Sequence, residues 1–249
     1  ETHSVTLHEL KTGTAPGAQV HRDNPLYRTP RSLTASFSLS SVVVGLAERA
    51  VEEFTSITRD RRSRGLRVAD FEYIQLTVAE AAAQVETAVL MVENTIERNV
   101  ALMASGQPVE AEHLAWTRRN SAYAAKLAHS AVKAIFDVAG GTAIYDTNPL
   151  QEIFRDSTAG ASHLSLTWQR AAPPYGQLKL GQTVDYDAIQ GGDCDDNNAA
   201  VNPGAAEYCT QIDTDCDGKK GPCDVSVAES IIDGNISSGN FGSSSGFGD

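Results

Sequence analysis

The sequence predicts a mainly α fold: an antiparallel four-helix bundle followed by a small irregular tail stabilised by calcium and disulfides. Three observations predict it. Apolar residues recur at helical spacing through three segments of about thirty residues each, separated by short Gly- or Pro-containing links. All four cysteines (Cys194, Cys209, Cys216, Cys223) fall in the last third, and none in the first 182 residues. Charge divides at the same place: residues 1–182 carry 18 Lys and Arg against 19 Asp and Glu, while residues 183–249 carry 2 against 13, so nearly all of the formal −12 belongs to the tail.

The division sets the expected domains. Residues 1–19 read as the end of an upstream β domain, 20–182 as the helical bundle, 183–191 as a linker, 192–224 as a metal-binding repeat, and 225–249 as a Gly/Ser-rich low-complexity segment. The chain begins at Glu1 without methionine or a leader pattern, so a fragment is expected at both ends. No apolar run reaches the eighteen or so residues of a membrane span. A chain this acidic is not expected to bind nucleic acid.

The first long helix is predicted from Leu33 to about Arg62, with Leu33, Phe37, Val44, Ala47, Val51, Phe54 and Ile57 inward. A second runs from about Phe71 to Ala104 on a stripe of Ile74, Val78, Ala81, Val85, Val89, Val92 and Ile96, ending at Gly106-Gln107-Pro108. A third runs from about Glu110 to Ala139, with Ala125, Val132, Ile135 and Phe136 inward and Gly140-Gly141 beyond its end. Each is roughly 45 Å long at 1.5 Å per residue. No strand-like alternation competes. A shorter fourth helix opens at Asn148-Pro149, where Asn148 can cap and Pro149 suits the first helical position. Along it, Asp156, Gly160 and His163 are expected on one side, with the glycine leaving room for something flat.

The order of long helices followed by GGTAIYDTNPLQEIFRDSTAGASH resembles the C-terminal domain of the acyl-CoA dehydrogenase superfamily, in particular the group D flavin-dependent monooxygenases. The resemblance covers about residues 20–182, including NPLYRTP before the first helix. It implies a cofactor, reduced FAD or FMN delivered by a partner flavin reductase and held between domains and subunits. It also implies hydroxylation of an aromatic substrate and a homo-oligomer that is a dimer of dimers. Two of the family's three domains fall outside the match. The implied catalytic residue is His163, since imidazole exchanges a proton near neutral pH. Arg155 could hold an anionic flavin phosphate or substrate through its planar fork, or pair with Asp156 or Glu152. Acyl-CoA dehydrogenases proper carry an Arg-x-x-Phe-Gly turn that binds the flavin diphosphate of a neighbouring subunit. Here the turn reads Arg61-Arg62-Ser63-Arg64-Gly65, which favours the monooxygenase branch and leaves Arg62, within a cluster also holding Arg59 and Arg67, as the candidate phosphate ligand.

In the tail, Asp213, Asp215 and Asp217 alternate before Gly218, with Asp224 twelfth in the loop, the arithmetic of oxygen ligands converging on calcium. Asp193, Asp195 and Asn197 repeat the alternation, and Glu207 can close that site. No C-x-x-C pair exists, so disulfides suit the cysteines better than zinc, and three pairings stay open. The unit DCDD…NPGAAEYC…DTDCDG resembles the MopE-type metal-binding repeat, which implies calcium binding and a surface setting. Asn235-Ile236-Ser237 matches a glycosylation acceptor. The compartments conflict: the helical part implies the cytoplasm, the tail an extracellular location. Three functions therefore stand open: part of a reductase-fed monooxygenase, a calcium-binding surface protein whose bundle is inactive, or an acyl-CoA dehydrogenase-like fragment.

Overall fold

A computed structural model describes residues 4–184 of the chain. The chain divides between Gly191 and Gly192, and every described residue belongs to the first unit. The architecture is mainly helical. Where the sequence suggests the end of a β domain, two short helices form instead, α1 (Leu7–Thr12) and α2 (Pro16–Val20). The reason is local: the Thr6 hydroxyl accepts from the Glu9 N–H while the Glu9 carboxylate accepts from Thr6, a reciprocal capping box, and Pro16 sits at the start of α2.

Three long helices follow: α3 (Ala35–Asp60), α4 (Glu72–Ser105) and α5 (Ala111–Val138), then the shorter α6 (Pro149–Ala161), α7 (Trp168–Ala171) and α8 (Pro173–Lys179). Between α3 and α4 lies a hairpin of two-residue strands, β1 (Arg62–Ser63) and β2 (Leu66–Arg67), which the sequence reading missed. Strands this short show no alternation. α4 stops at Gly106, whose φ of 70° supplies the left-handed turn that closes a helix. Asn148 caps α6 as expected, its side chain accepting from the Leu150 N–H at 3.0 Å.

Long-range hydrogen bonds fix the helix directions. Asn99 on α4 reaches the Leu33 carbonyl just before α3, and Asn120 on α5 reaches Thr95, so α4 runs against both neighbours. Ser121 meets Ser40 while Arg61 meets Ala139, so α3 and α5 run in parallel. Ser157 meets His129 and Phe154 stacks on Phe136, so α6 runs against α5. The core between them is lined by alanines: Ala47, Ala50, Ala81, Ala88, Ala124, Ala128 and Ala131 are fully buried, which lets the helix axes approach closely around Phe54, Val43 and Ile135. A second small core joins Leu33, Leu114 and Ala115 with Tyr175, Leu178 and Val184.

The predicted stripes hold at their centres and fail at two ends. Ile57 is 39 % exposed and Ile96 41 % exposed, while Val43, Ala50, Thr95 and Asn99 are buried. Among the described residues no helix is long and apolar enough to cross a membrane.

Candidate functional site

At the end of α3 the chain reverses through Arg64 (φ 51°) and Gly65 (φ 83°), two consecutive left-handed residues that close the tight turn between β1 and β2. Arg61, the last residue before the hairpin, turns its guanidinium across to the end of α5 and donates to the Ala139 carbonyl. The same group lies under Gly140, where an added Cβ would sit 3.7 Å from Nη2 and where φ is 85°. Hairpin and Gly-Gly turn are thereby clasped together. In the two-strand ladder Arg62 stands directly opposite Arg67. Arg67 is engaged, donating to the Arg59 carbonyl at 2.8 Å and lying 3.7 Å from Asp70. Arg62, exposed, makes only a 3.4 Å contact to the Gly65 carbonyl among the described residues. Like charges facing across a ladder oppose its formation. Beside the hairpin, a groove of about 410 Å³ between α3 and α4 is lined by Thr55, Thr58, Arg67, Ile74 and Val78. Among the described residues the buried Thr58 hydroxyl there has no hydrogen-bond partner.

Arg155 is exposed on α6 and donates to its neighbour Asp156 at 3.0 Å. It borders an apolar groove of about 370 Å³ formed with Phe136, Ile144, Gln151, Phe154 and Thr158. Phe154 stacks on Phe136 with centroids 4.3 Å apart, and His129 stacks on Phe154 at 6.3 Å. The Ser157 hydroxyl donates to the Phe154 carbonyl at 3.0 Å, so the 3.2 Å contact to His129 Nδ1 has the imidazole as donor. Burial, then the nearby Lys133 charge, push the His129 pKa below the ordinary histidine value. Sequence reasoning passed over His129. Its spacing of seven residues from Phe136 was the available signal.

The expected face of Asp156, Gly160 and His163 does not form. α6 ends at Ala161, and His163 is extended backbone (φ −61°, ψ 138°) beginning a 3-10 turn over Leu164–Leu166. Its Nδ1 accepts from the Ser165 N–H at 3.2 Å, so that nitrogen carries no proton here, and the side chain is exposed. Gly160 and Ser162 are poor helix formers, and the histidine cap offers the backbone an alternative. Gly160 leaves room for a helix rather than a ligand: a Cβ there would lie 2.8 Å from Val43 Cγ2 on α3.

These placements separate the candidates. Gly160 packs at Val43, near the start of α3, whereas Arg62 lies past its end, roughly 27 Å further along at 1.5 Å per residue. His163 and Arg62 therefore mark opposite ends of α3, with Arg155 between them, roughly 9 Å along the α6 axis from the helix end at Ala161. A single copy does not bring the three together. The metal candidates Asp193, Asp195, Asn197, Glu207, Asp213, Asp215, Asp217 and Asp224 lie outside the described residues. Among the described residues no three His, Cys, Asp or Glu side chains cluster as a metal site.

Residues 37–168 match the acyl-CoA dehydrogenase C-terminal domain family, and residues 193–220 match a metal-binding motif of the MopE type. Over 187 residues the chain is 29 % identical to the oxygenase component of an FADH2-dependent resorcinol hydroxylase from Rhizobium sp. (strain MTP-10005), covering 71 % of this chain and 46 % of that protein. It is 28 % identical to the oxygenase component of p-hydroxyphenylacetate 3-hydroxylase from Acinetobacter baumannii, covering 71 % of this chain and 42 % of that one. The chain spans less than half the length of these curated relatives. Among solved structures, the 3-HSA hydroxylase from Rhodococcus sp. RHA1 aligns with a TM-score of 0.65 at 25 % identity, over 74 % of this chain and 48 % of that one.

Proposed function

Because the chain belongs to the acyl-CoA dehydrogenase C-terminal domain family, we propose that its helices form the antiparallel four-helix bundle of that family and serve as the C-terminal part of a reductase-fed flavin monooxygenase acting on an aromatic substrate. The supporting observation is the arginine hairpin: Arg62 stands opposite Arg67, Asp70 pairs with Arg67 while Arg62 has no ion pair among the described residues, and the turn is clasped through Arg61 to Gly140. A diphosphate fits this donor set, beside the groove between α3 and α4. The curated relatives are oxygenase components, one of them FADH2-dependent by name.

Reduced flavin, FAD or FMN, would supply the electrons for oxygen activation. The residues of this chain do the holding and proton handling. Arg62 and its neighbours bind the anionic end, and Arg155 remains a candidate for an anionic substrate or flavin group. His163, with Nδ1 accepting from Ser165, presents its imidazole at the other end of α3 for proton exchange. The distance between these ends favours a flavin shared between copies, hence a dimer of dimers, with a flavin reductase as the supplying partner.

Anaerobic titration of the purified chain with FADH2 and with FMNH2, following fluorescence and oligomer size, tests this reading. Saturable binding that Arg62→Gln weakens is expected. Absence of saturable binding in an oligomeric sample would overturn it for this chain.

For the tail, the match over residues 193–220 supports a metal site. Its ligand types, Asp and Asn oxygens at alternate positions, suit a hard cation, and calcium is the proposed occupant. Asp215→Ala should remove calcium-dependent protection of residues 193–224 from proteolysis while leaving the helical melting transition in place. Equal protection in the variant would refute the assignment.

A further inference from the structure

At the end of the helices opposite the hairpin, roughly 40 Å from Ala139 along α5 at 1.5 Å per residue, lies a groove of about 450 Å³ lined by Arg98, Glu110, Glu112, His113, Trp116 and Tyr175. A buried polar residue fixes its chemistry. Asn99, 3 % exposed, donates through Nδ2 to the Leu33 carbonyl at 3.0 Å. Its Oδ1 accepts from the Thr117 hydroxyl at 3.1 Å and lies 2.7 Å from His113 Nε2. Since that oxygen has no hydrogen to give, Nε2 is the donor, and the neutral ring keeps Nδ1 as an acceptor. Burial, then the Arg98 charge, lower the His113 pKa, so the neutral ring is the resting form.

The charges around the imidazole are arranged for a guest of both polarities. Arg98 lies over the Trp116 ring, 5.3 Å from its centroid, and forms no ion pair among the described residues. Glu112 is neutralised by Lys179. Tyr175 is held in place by Arg119, 4.0 Å from its centroid. Arg98 and Glu110 line one groove without pairing to each other. Among the described residues, what is left is a guanidinium and a carboxylate without ion pairs, an imidazole acceptor and two aromatic side chains.

We propose that this groove binds a phenolic carboxylate, its carboxylate on the Arg98 fork, its ring against Trp116 and Tyr175, and its hydroxyl donating to Glu110 or His113 Nδ1. The planar fork matches a carboxylate in two hydrogen bonds. The aromatic walls contribute stacking area, and Glu110 discriminates against ligands lacking a donor at the far end. The volume lies within the range of small-molecule sites. This proposal does not depend on the flavin reading, because none of the side chains lining the groove is assigned there to flavin.

The test uses the whole chain without flavin, carrying Trp168→Phe so that Trp116 is the only tryptophan. Titration with 4-hydroxybenzoate should quench Trp116 saturably. Calorimetry should give an affinity about tenfold or more above that for phenol, acetate or inorganic phosphate, and a loss of about tenfold or more in Arg98→Gln, the scale of one charge-assisted contact. Arg98 is exposed, so the variant should melt with the parent. An unsaturable titration, equal binding of phosphate (a cationic patch only), or full affinity in a folded Arg98→Gln would each overturn the proposal. None of these results touches the reduced-flavin titration, so failure of one reading is distinguishable from failure of the other.

Discussion

Replacing Asn99 by alanine should be the most damaging single change at the polar end of the helices. The side chain joins three segments: it donates to the Leu33 carbonyl and accepts from Thr117 and His113. Leu33 is 1 % exposed and Thr117 fully buried, so two of the three stranded groups have no water at hand. An orphaned buried donor or acceptor costs about 1–3 kcal/mol, which gives about 2–6 kcal/mol for two. Some of this is recoverable, since the Thr117 hydroxyl can turn to the preceding helical turn and a water can enter the vacated space. A net loss of about 3 kcal/mol is expected. Urea unfolding followed by circular dichroism reads it as a lower midpoint at unchanged slope. Asn99→Asp separates the bonds: it keeps an acceptor for Thr117 and His113 but turns an oxygen on the Leu33 carbonyl, and should also be destabilising. In a double-mutant cycle, Thr117→Val should cost less in the Asn99→Ala background than alone. A loss below about 1 kcal/mol, or strict additivity, would refute the idea that this amide is an energetic node.

Three further outcomes follow from the geometry. Gly160→Ala would gain up to about 1 kcal/mol of helix propensity, but its Cβ meets a stiff, fully buried Val43 at 2.8 Å. Overpacking of about 1–3 kcal/mol should win, and Val43→Ala should restore the propensity gain; a more stable Gly160→Ala single variant would refute the close packing of α6 on α3. His113 and His129 both have folded pKa values lowered by burial and a neighbouring cation. Their contribution is complete above the unfolded value of about 6.5 and is lost as pH falls through the lower folded values. Thermal midpoints should fall between pH 7.5 and 5 on the scale of about 6.5 for the unfolded imidazole, and His113→Gln/His129→Gln should fall less; an equal fall would remove the histidines as its cause. Arg62→Gln should weaken reduced-flavin binding while leaving the free chain equally or slightly more stable, by about 0.2–1 kcal/mol, because it removes a facing like charge. Weaker binding accompanied by a lowered melting point would instead mean that Arg62 supports the hairpin.

The elements were legible because their causes are local. A 3.6-residue apolar period, the Asn148 cap with Pro149, and the glycines at 106 and 140 mark helices and their ends without knowledge of any partner. The basic turn holding Arg62 is visible in the sequence, but the clasp beside it, Arg61 on Ala139 beneath Gly140, joins residues far apart in sequence. The helical reading of His163 failed because its own turn, not the helix period, sets its backbone. The inward placement of Ile57 and Ile96 failed for a different reason. Near Ile96, Thr95 and Asn99 take the interior because their hydrogen bonds are completed by other helices, so a hydropathy stripe misreads which face is inside.

The sequence alone determined the class of the fold, the number and span of the long helices, the break in charge and cysteine content near residue 183, and the family resemblance. Tertiary structure decided that His163 and Arg62 stand at opposite ends of α3, that Gly160 admits a neighbouring helix, and that Asn99 holds His113 in one tautomer. The physical reason is range. Helix formation is governed by neighbours within one or two turns, whereas a site is made from side chains such as Asn99 and Leu33, Arg61 and Ala139, or Ser40 and Ser121, which only packing brings into contact.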